Sequence, residues 1–150
     1  MEEIIPLADF PAEFGKFLIV GKGFEAFAEQ SASDRVEFLG YVEDLDQLLC
    51  RCLVMVAPLR FGAGMKGKIL SAMANGLPVI TTWIGAEGMD IDHEVTGLLA
   101  ESPRETIDAV RRVGTDAALW ESLSTNGALH IEKVCNRLDA QCSLEEALAL

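Results

Sequence analysis

The stretch between Asp46 and Glu87 carries no acidic residue, yet it holds Arg51, Arg60, Lys66 and Lys68. The whole chain has 24 acidic against 12 basic residues and a formal charge of −12, so the cluster Arg60, Lys66, Lys68 reads as a local anion site on an acidic body. It falls in the run Gly62-Ala-Gly64-Met-Lys66-Gly67-Lys68-Ile69. That run is one residue short of the phosphate-binding pattern G-x-x-x-x-G-K-[S/T]. The missing residue matters, because the Ser/Thr hydroxyl ligates Mg²⁺ and Ile69 has no atom to offer a metal. The strand expected next supplies no Asp as a second metal partner either. A metal-free chemistry fits the same residues. Backbone N–H groups at the start of a helix near Ile69, with the side chains of Lys66 and Lys68, can hold a diphosphate directly. Fixed positive charge then stabilises the charge that builds on a departing nucleoside diphosphate. The plainer alternative is that the glycines permit a tight turn and the lysines are solvated.

A second glycine-rich run, Gly21-Lys-Gly23-Phe-Glu-Ala26, matches G-x-G-x-x-A directly after an apolar stretch, as a dinucleotide-binding turn does. Glu43 or Asp44 stands where an acid for a ribose would be expected. The helix after it is short, breaking near Ser31 to Asp34. Other residues able to do chemistry are isolated. His93, in Asp90-Ile-Asp-His-Glu94, is either an acid–base group or a solvated loop histidine, and the acids of that run either a divalent-ion site or a charged surface turn. Trp83 either stacks on a sugar or base or packs against a sheet edge. Cys50, Cys52, Cys135 and Cys142 form no Cys-x-x-Cys and read as reduced thiols rather than a zinc site.

Strands alternating with helices must position these groups. Lys16 to Gly21, Val36 to Gly40, Leu53 to Pro58, Pro78 to Thr82 and Gly97 to Ala100 read as strands. Helices are expected from about Phe24 to Gln30, from Asp44 to Arg51 with Asp44 as cap, from Lys68 to Asn75 ended by Gly76 and Pro78, and from Ser102-Pro103 to about Val113. The remainder, 114–150, reads as a helical tail. This order predicts one α/β domain over 1–150, a three-layer Rossmann-like fold with a mainly parallel sheet and ligands at the carboxyl ends of its strands.

Composition removes other classes. Half the residues are apolar and 7% are aromatic, which suits helix-on-sheet packing. The charge argues against nucleic-acid binding, which rests on Lys and Arg replacing counterions. There is no apolar stretch long enough to cross a membrane, and the N-terminus, Met-Glu-Glu-Ile-Ile-Pro, is acidic where a signal peptide would be basic. The expected compartment is the cytoplasm.

The landmarks Leu18-Ile-Val-Gly-Lys-Gly23, Arg35-Val-Glu-Phe-Leu-Gly40, Val54-Met-Val-Ala-Pro58, Gly62 to Lys68, Leu70 to Ile80, Gly85-Ala-Glu-Gly88 and Gly97-Leu-Leu-Ala100 follow one another in order. The series resembles the C-terminal domain of GT-B glycosyltransferases of the family 4 type. That resemblance implies a nucleotide-sugar donor bound at the cleft between two Rossmann-like domains, with metal-independent transfer. It places Gly62, Gly64, Lys66 and Lys68 at the donor diphosphate, and Gly21, Gly23, Arg60, Ser71, Glu87 and Gly88 in the donor's vicinity. Many members carry two glutamates, the second holding the donor ribose; those places fall here on Ala63 and Ser71. Members also begin this domain with a further strand and helix. Their absence implies an incomplete domain lacking its acceptor-binding partner domain, and an uncovered edge that a homodimer or the helical tail would cover. A nicotinamide dinucleotide module and a non-catalytic interaction domain are the alternatives.

Overall fold

The computed structural model describes residues 14–23 and 34–148. The helix expected from Phe24 to Gln30 and the N-terminal segment Ile4 to Phe10 lie outside the described residues. Among the described residues five strands form: β1 (Phe17–Val20), β2 (Val36–Gly40), β3 (Met55–Ala57), β4 (Val79–Thr81) and β5 (Leu98–Leu99). All pairings between them are parallel. The expected single sheet is corrected in one respect. Hydrogen bonds make two ladders, β1-β2 and β3-β4-β5. Side chains join the two, since Phe17 of β1 packs with Val54 and Val56 against the same cluster.

The three-stranded sheet divides its apolar residues by the alternation of a strand. Met55, Ala57, Val79 and Leu99 serve one face. There they meet Leu49 of α1 (Leu45–Leu49), Ile69, Ala72 and Met73 of α2 (Gly67–Ala74), and Ala86 of α3 (Trp83–Ala86). Val54, Val56, Ile80 and Leu98 serve the other, packing on Ile107, Ala109, Val110 and Val113 of α4 (Pro103–Thr115). The result is the three-layer α/β/α arrangement. The helix α5 (Ala117–Leu148) contributes to both faces, placing Leu123 in one core and Ile131 in the other. Leu123, Ile131 and Val134 are fully buried within this one chain, at about 1.5–3 kcal/mol each for a side chain of this kind. The tail therefore covers part of the apolar surface of both cores.

Local chemistry sets the helix ends. Asp44 caps α1 by accepting from Gln47 N at 2.9 Å. At the end of α2, Leu77 N donates to Ala72 O and Gly76 N to Met73 O, both at 2.9 Å, the paired closure of a Schellman motif. Ser102 and Glu105 form a reciprocal capping box ahead of Pro103. α4 runs on to Thr115, past the expected end at Val113, because Asp116 closes it through its own N–H to Arg112 O at 2.9 Å. The side chain of Asp116 then starts α5, accepting from Leu119 N at 3.0 Å. Among the described residues no helix is long and apolar enough to cross a membrane.

Candidate functional site

The loop after β3 leaves the carboxyl end of the strand and returns as α2. Gly62 and Gly64 take φ of 124° and 73°, a region open to glycine and poorly populated by other residues. Their carbonyls turn inward onto one ammonium: Lys66 Nζ donates to Gly62 O at 3.1 Å and to Gly64 O. The Lys66 side chain is only 12% exposed, and Glu87 Oε2 lies 3.9 Å from its Nζ. On the same side, Gly88 comes so close that a Cβ there would meet Met65 Cγ at 3.3 Å. Gly62, Gly64, Lys66, Glu87 and Gly88 thus form one cluster where the loop meets the turn after α3. The contribution of Met65 had no signal in spacing.

The start of α2 opens beside this cluster. Its cap residue Lys66 gives no side-chain cap and its first turn holds no acid. Ile69 N and Leu70 N bond back to Lys66 O at 2.8 and 3.1 Å. Among the described residues, no oxygen accepts from the N–H groups of Gly67 and Lys68. The Lys68 side chain is exposed and has no hydrogen-bond or ion-pair partner among them. Two amides unpaired among the described residues, the positive end of a helix and one ammonium therefore face solvent together.

Other expected residues lie apart from this opening or at its margin. Arg60 is exposed on the same loop, and Ser71 is half-buried one turn along α2, its carbonyl taken by Asn75. Gly21 and Gly23 follow β1 in the other ladder, where Gly21 N donates to Gly40 O at 2.8 Å and Lys22 Nζ sits 5.4 Å from the Tyr41 ring centre. Asp44, one acid considered for a dinucleotide ribose, is engaged as the cap of α1. His93 is exposed, and its Nδ1 accepts from Leu99 N at 2.9 Å. Glu94 bonds Arg112 at 2.7 Å, and this bond and the guanidinium charge hold its carboxyl below the ordinary range. The acidic run is a surface turn fastened to α4.

The packing alternative for Trp83 is corrected. It opens α3, a helix not expected from the sequence, and is 65% exposed. Thr82 holds the helix in its place, accepting from Gly85 N at 3.1 Å and donating to Leu59 O at 2.6 Å. With Phe61, Gly62, Ile84 and Glu87, Trp83 lines a shallow open hollow of about 350 Å³.

A family model described as glycosyl transferases group 1 matches residues 2–116. The chain belongs to the glycosyl transferases group 1 family. As a member of that family it is similar to the putative glycosyltransferase YtcC of Bacillus subtilis strain 168, with 31% identity over 104 residues, 66% of this chain and 26% of YtcC. It is similar in fold to Anabaena Alr3699/HepE, solved in complex with UDP and glucose, at TM-score 0.75 and 21% identity over 93% of this chain and 43% of that one. The C-terminal domain of the group 1 family protein LpcC from Francisella tularensis gives a TM-score of 0.63 and 23% identity over 73% of this chain and 58% of that one. This member of the glycosyl transferases group 1 family spans about a quarter of YtcC and less than half of HepE. Its α/β fold with parallel strands matches that of these GT-B enzymes.

Proposed function

We propose that the chain is the nucleotide-sugar-binding half of a cytoplasmic glycosyltransferase, which passes a hexosyl group from a nucleoside diphosphate sugar to an acceptor without a metal. The observation that carries this reading is the pair of amides of Gly67 and Lys68, unpaired among the described residues and opening beside the Lys68 ammonium and the Lys66-closed loop. Such an array is complementary to a diphosphate, and more so to the charge that grows on it as the glycosidic bond breaks. Ile69, without a hydroxyl, supports a metal-free role. In this reading Gly62, Gly64, Lys66 and Lys68 hold the diphosphate. Arg60, Ser71, Glu87 and Gly88 border the donor, and Gly21 and Gly23 lie on its far side. Uridine diphosphate is the first probe to use, since the Anabaena relative was crystallised with UDP and glucose.

Transfer also requires an acceptor hydroxyl aligned with the anomeric carbon. In this reading that wall comes from a second domain, so the chain by itself binds better than it transfers. Thermal melting tests the proposal. Uridine or guanosine diphosphate raises the melting temperature by mass action, equivalent to about 2.7 kcal/mol at a hundred times Kd, and millimolar NAD or NADP does not. A shift with a nicotinamide dinucleotide alone would reverse the assignment in favour of the Gly21 to Ala26 turn.

A further inference from the structure

β1 and β3 each leave one edge open, and the alternation of a parallel ladder tells which residues line it. Along such a ladder one residue turns both its N–H and its C=O to one neighbour, and the next turns them to the other side. Met55 N donates to Pro78 O at 2.9 Å, so Met55 and Ala57 face β4 and Val56 between them faces away. Phe17 N donates to Arg35 O at 2.8 Å, so Phe17 and Ile19 face β2 and Leu18 faces away. Among the described residues nothing bonds the outward main-chain groups of Leu18 or Val56. The side chains agree. β1 reads Phe-Leu-Ile-Val, apolar at every position as a strand covered on both faces is, yet none of its residues is buried and Leu18 is 36% exposed. β4, flanked on both sides, is buried throughout, whereas Met55 and Val56 of β3 are only half-buried. Phe17 packs with Val54 and Val56 against one cluster, so the two open edges border the same gap.

We propose that the gap between β1 and β3 receives a single β-strand from a partner polypeptide, which joins the two ladders into one continuous sheet. Open N–H and C=O groups along a strand edge are a template for such addition. The surroundings set the occupant's chemistry. It is four residues long, the length of β1, and apolar at every position, because helices cover both faces of the sheet. It holds no proline, since its amides face a strand on either side. This chain supplies no such segment. Among the described residues the five strands are committed to their own ladders, so a second copy could enter only by unzipping one of them. In the sequence 1–13, prolines and acids leave no apolar run longer than Ile4-Ile5 or Leu7-Ala8. The connection 21–35 between β1 and β2 has none longer than Ala26-Phe-Ala28, and joining parallel strands takes roughly a dozen residues by itself. The gap and its occupant do not depend on the donor reading.

A fluorescein-labelled peptide with an uninterrupted run of valine and isoleucine between paired lysines is the probe, read by anisotropy on the full chain at physiological salt. A control peptide keeps the lysines and interrupts the run with serines. The first binds saturably and the second does not. Val56→Pro removes the outward N–H and none of the bonds to β4, and Leu18→Pro does the same beside β2; each weakens peptide binding about tenfold. Amide exchange on the unaltered chain needs no variant. Leu18 and Val56 exchange freely alone and become protected with peptide, while Met55 and Ala57 are protected in both states. Equal binding of the two peptides, full binding by a folded proline variant, or no added protection at Leu18 and Val56 overturns the proposal. Protection of these two amides in the free chain overturns it as well. At every concentration this would mean that the chain fills its own gap, and at high concentration alone that a second copy does.

Discussion

His130 Nε2 and the carbonyl oxygen of Met89 lie 2.6 Å apart, tying the long helix α5 to the turn that follows Glu87 and Gly88. A carbonyl only accepts, so Nε2 carries the proton in this bond. Met89 is fully buried, and His130 thereby holds the turn against the glycine-rich loop from behind. His130→Ala leaves a buried carbonyl without a partner and should lower stability by about 1–3 kcal/mol in urea unfolding. His130→Gln, which keeps an N–H donor at a similar reach on a more flexible side chain, should recover part of the loss. An unchanged urea midpoint in the alanine variant would show that the bond holds nothing in place.

The two lysines of the loop should separate when replaced singly. Lys68 has only solvent around its ammonium among the described residues, so Lys68→Ala should weaken uridine diphosphate binding by about 1–3 kcal/mol with the melting temperature of the free chain unchanged. Lys66 also fastens Gly62 O and Gly64 O, and Lys66→Ala should lower both affinity and melting temperature. Calorimetry on the two variants decides this; equal affinity of wild type and the double variant would remove the anion site.

Gly85 is fixed by packing. A Cβ at this position would clash with Thr81 Oγ1, far inside van der Waals contact, and Thr81 is buried and bonded to Ala57 O at 2.8 Å. Gly85→Ala should destabilise by about 2–3 kcal/mol, the range for overpacking a tight core. Denaturant unfolding at wild-type midpoint would contradict the close fit of α3 on β4.

Acid should act through two fastened carboxylates. Glu105 accepts from Glu101 N at 2.7 Å and Ser102 N at 3.2 Å, and these bonds place its carboxyl below the ordinary value of 4.5. Glu94 is lowered likewise by Arg112. A depressed folded-state pKa contributes stability that is full above the unfolded value and is lost as pH falls through the folded one. Stability contributed by these groups should therefore be level above about 4.5 and decline below it. The double variant Glu94→Gln, Glu105→Gln should show a shallower acid decline in melting temperature, and an unaltered slope would exclude them as its source.

Much of this order is written locally. α2 was readable from Gly76 and Pro78 at its end, and α4 from Ser102 and Pro103 at its start, because caps act over three or four residues. The strand expected from Leu53 to Pro58 is longer than β3, which pairs only over Met55–Ala57. Every residue there is apolar, so nothing in composition marks where pairing stops, and the ladder extends only as far as Val79–Thr81 runs alongside. α3 is four residues long, too short to show a helical period, and the tryptophan that opens it reads equally as core. The division into two ladders depends on strand positions that apolar runs alone do not encode. His130 and Met89 are 41 residues apart in sequence, a pairing no spacing rule reaches. The closure of the glycine-rich loop by Lys66 is a bond to main-chain carbonyls, and main-chain atoms are the same in every residue.

The span of α5 across both faces of the sheet bears on how the chain is made. Translation releases the strands and α1 to α4 first, and Leu123 and Ile131, which complete the two cores, and the buried Val134 emerge only after them. Until then, both clusters lack the cover that α5 supplies, and the nascent chain shows apolar surface of the sort chaperones retain. A ribosome stalled before Val134 should display a protease-sensitive intermediate, and release of that residue from the exit tunnel should convert it to a resistant form.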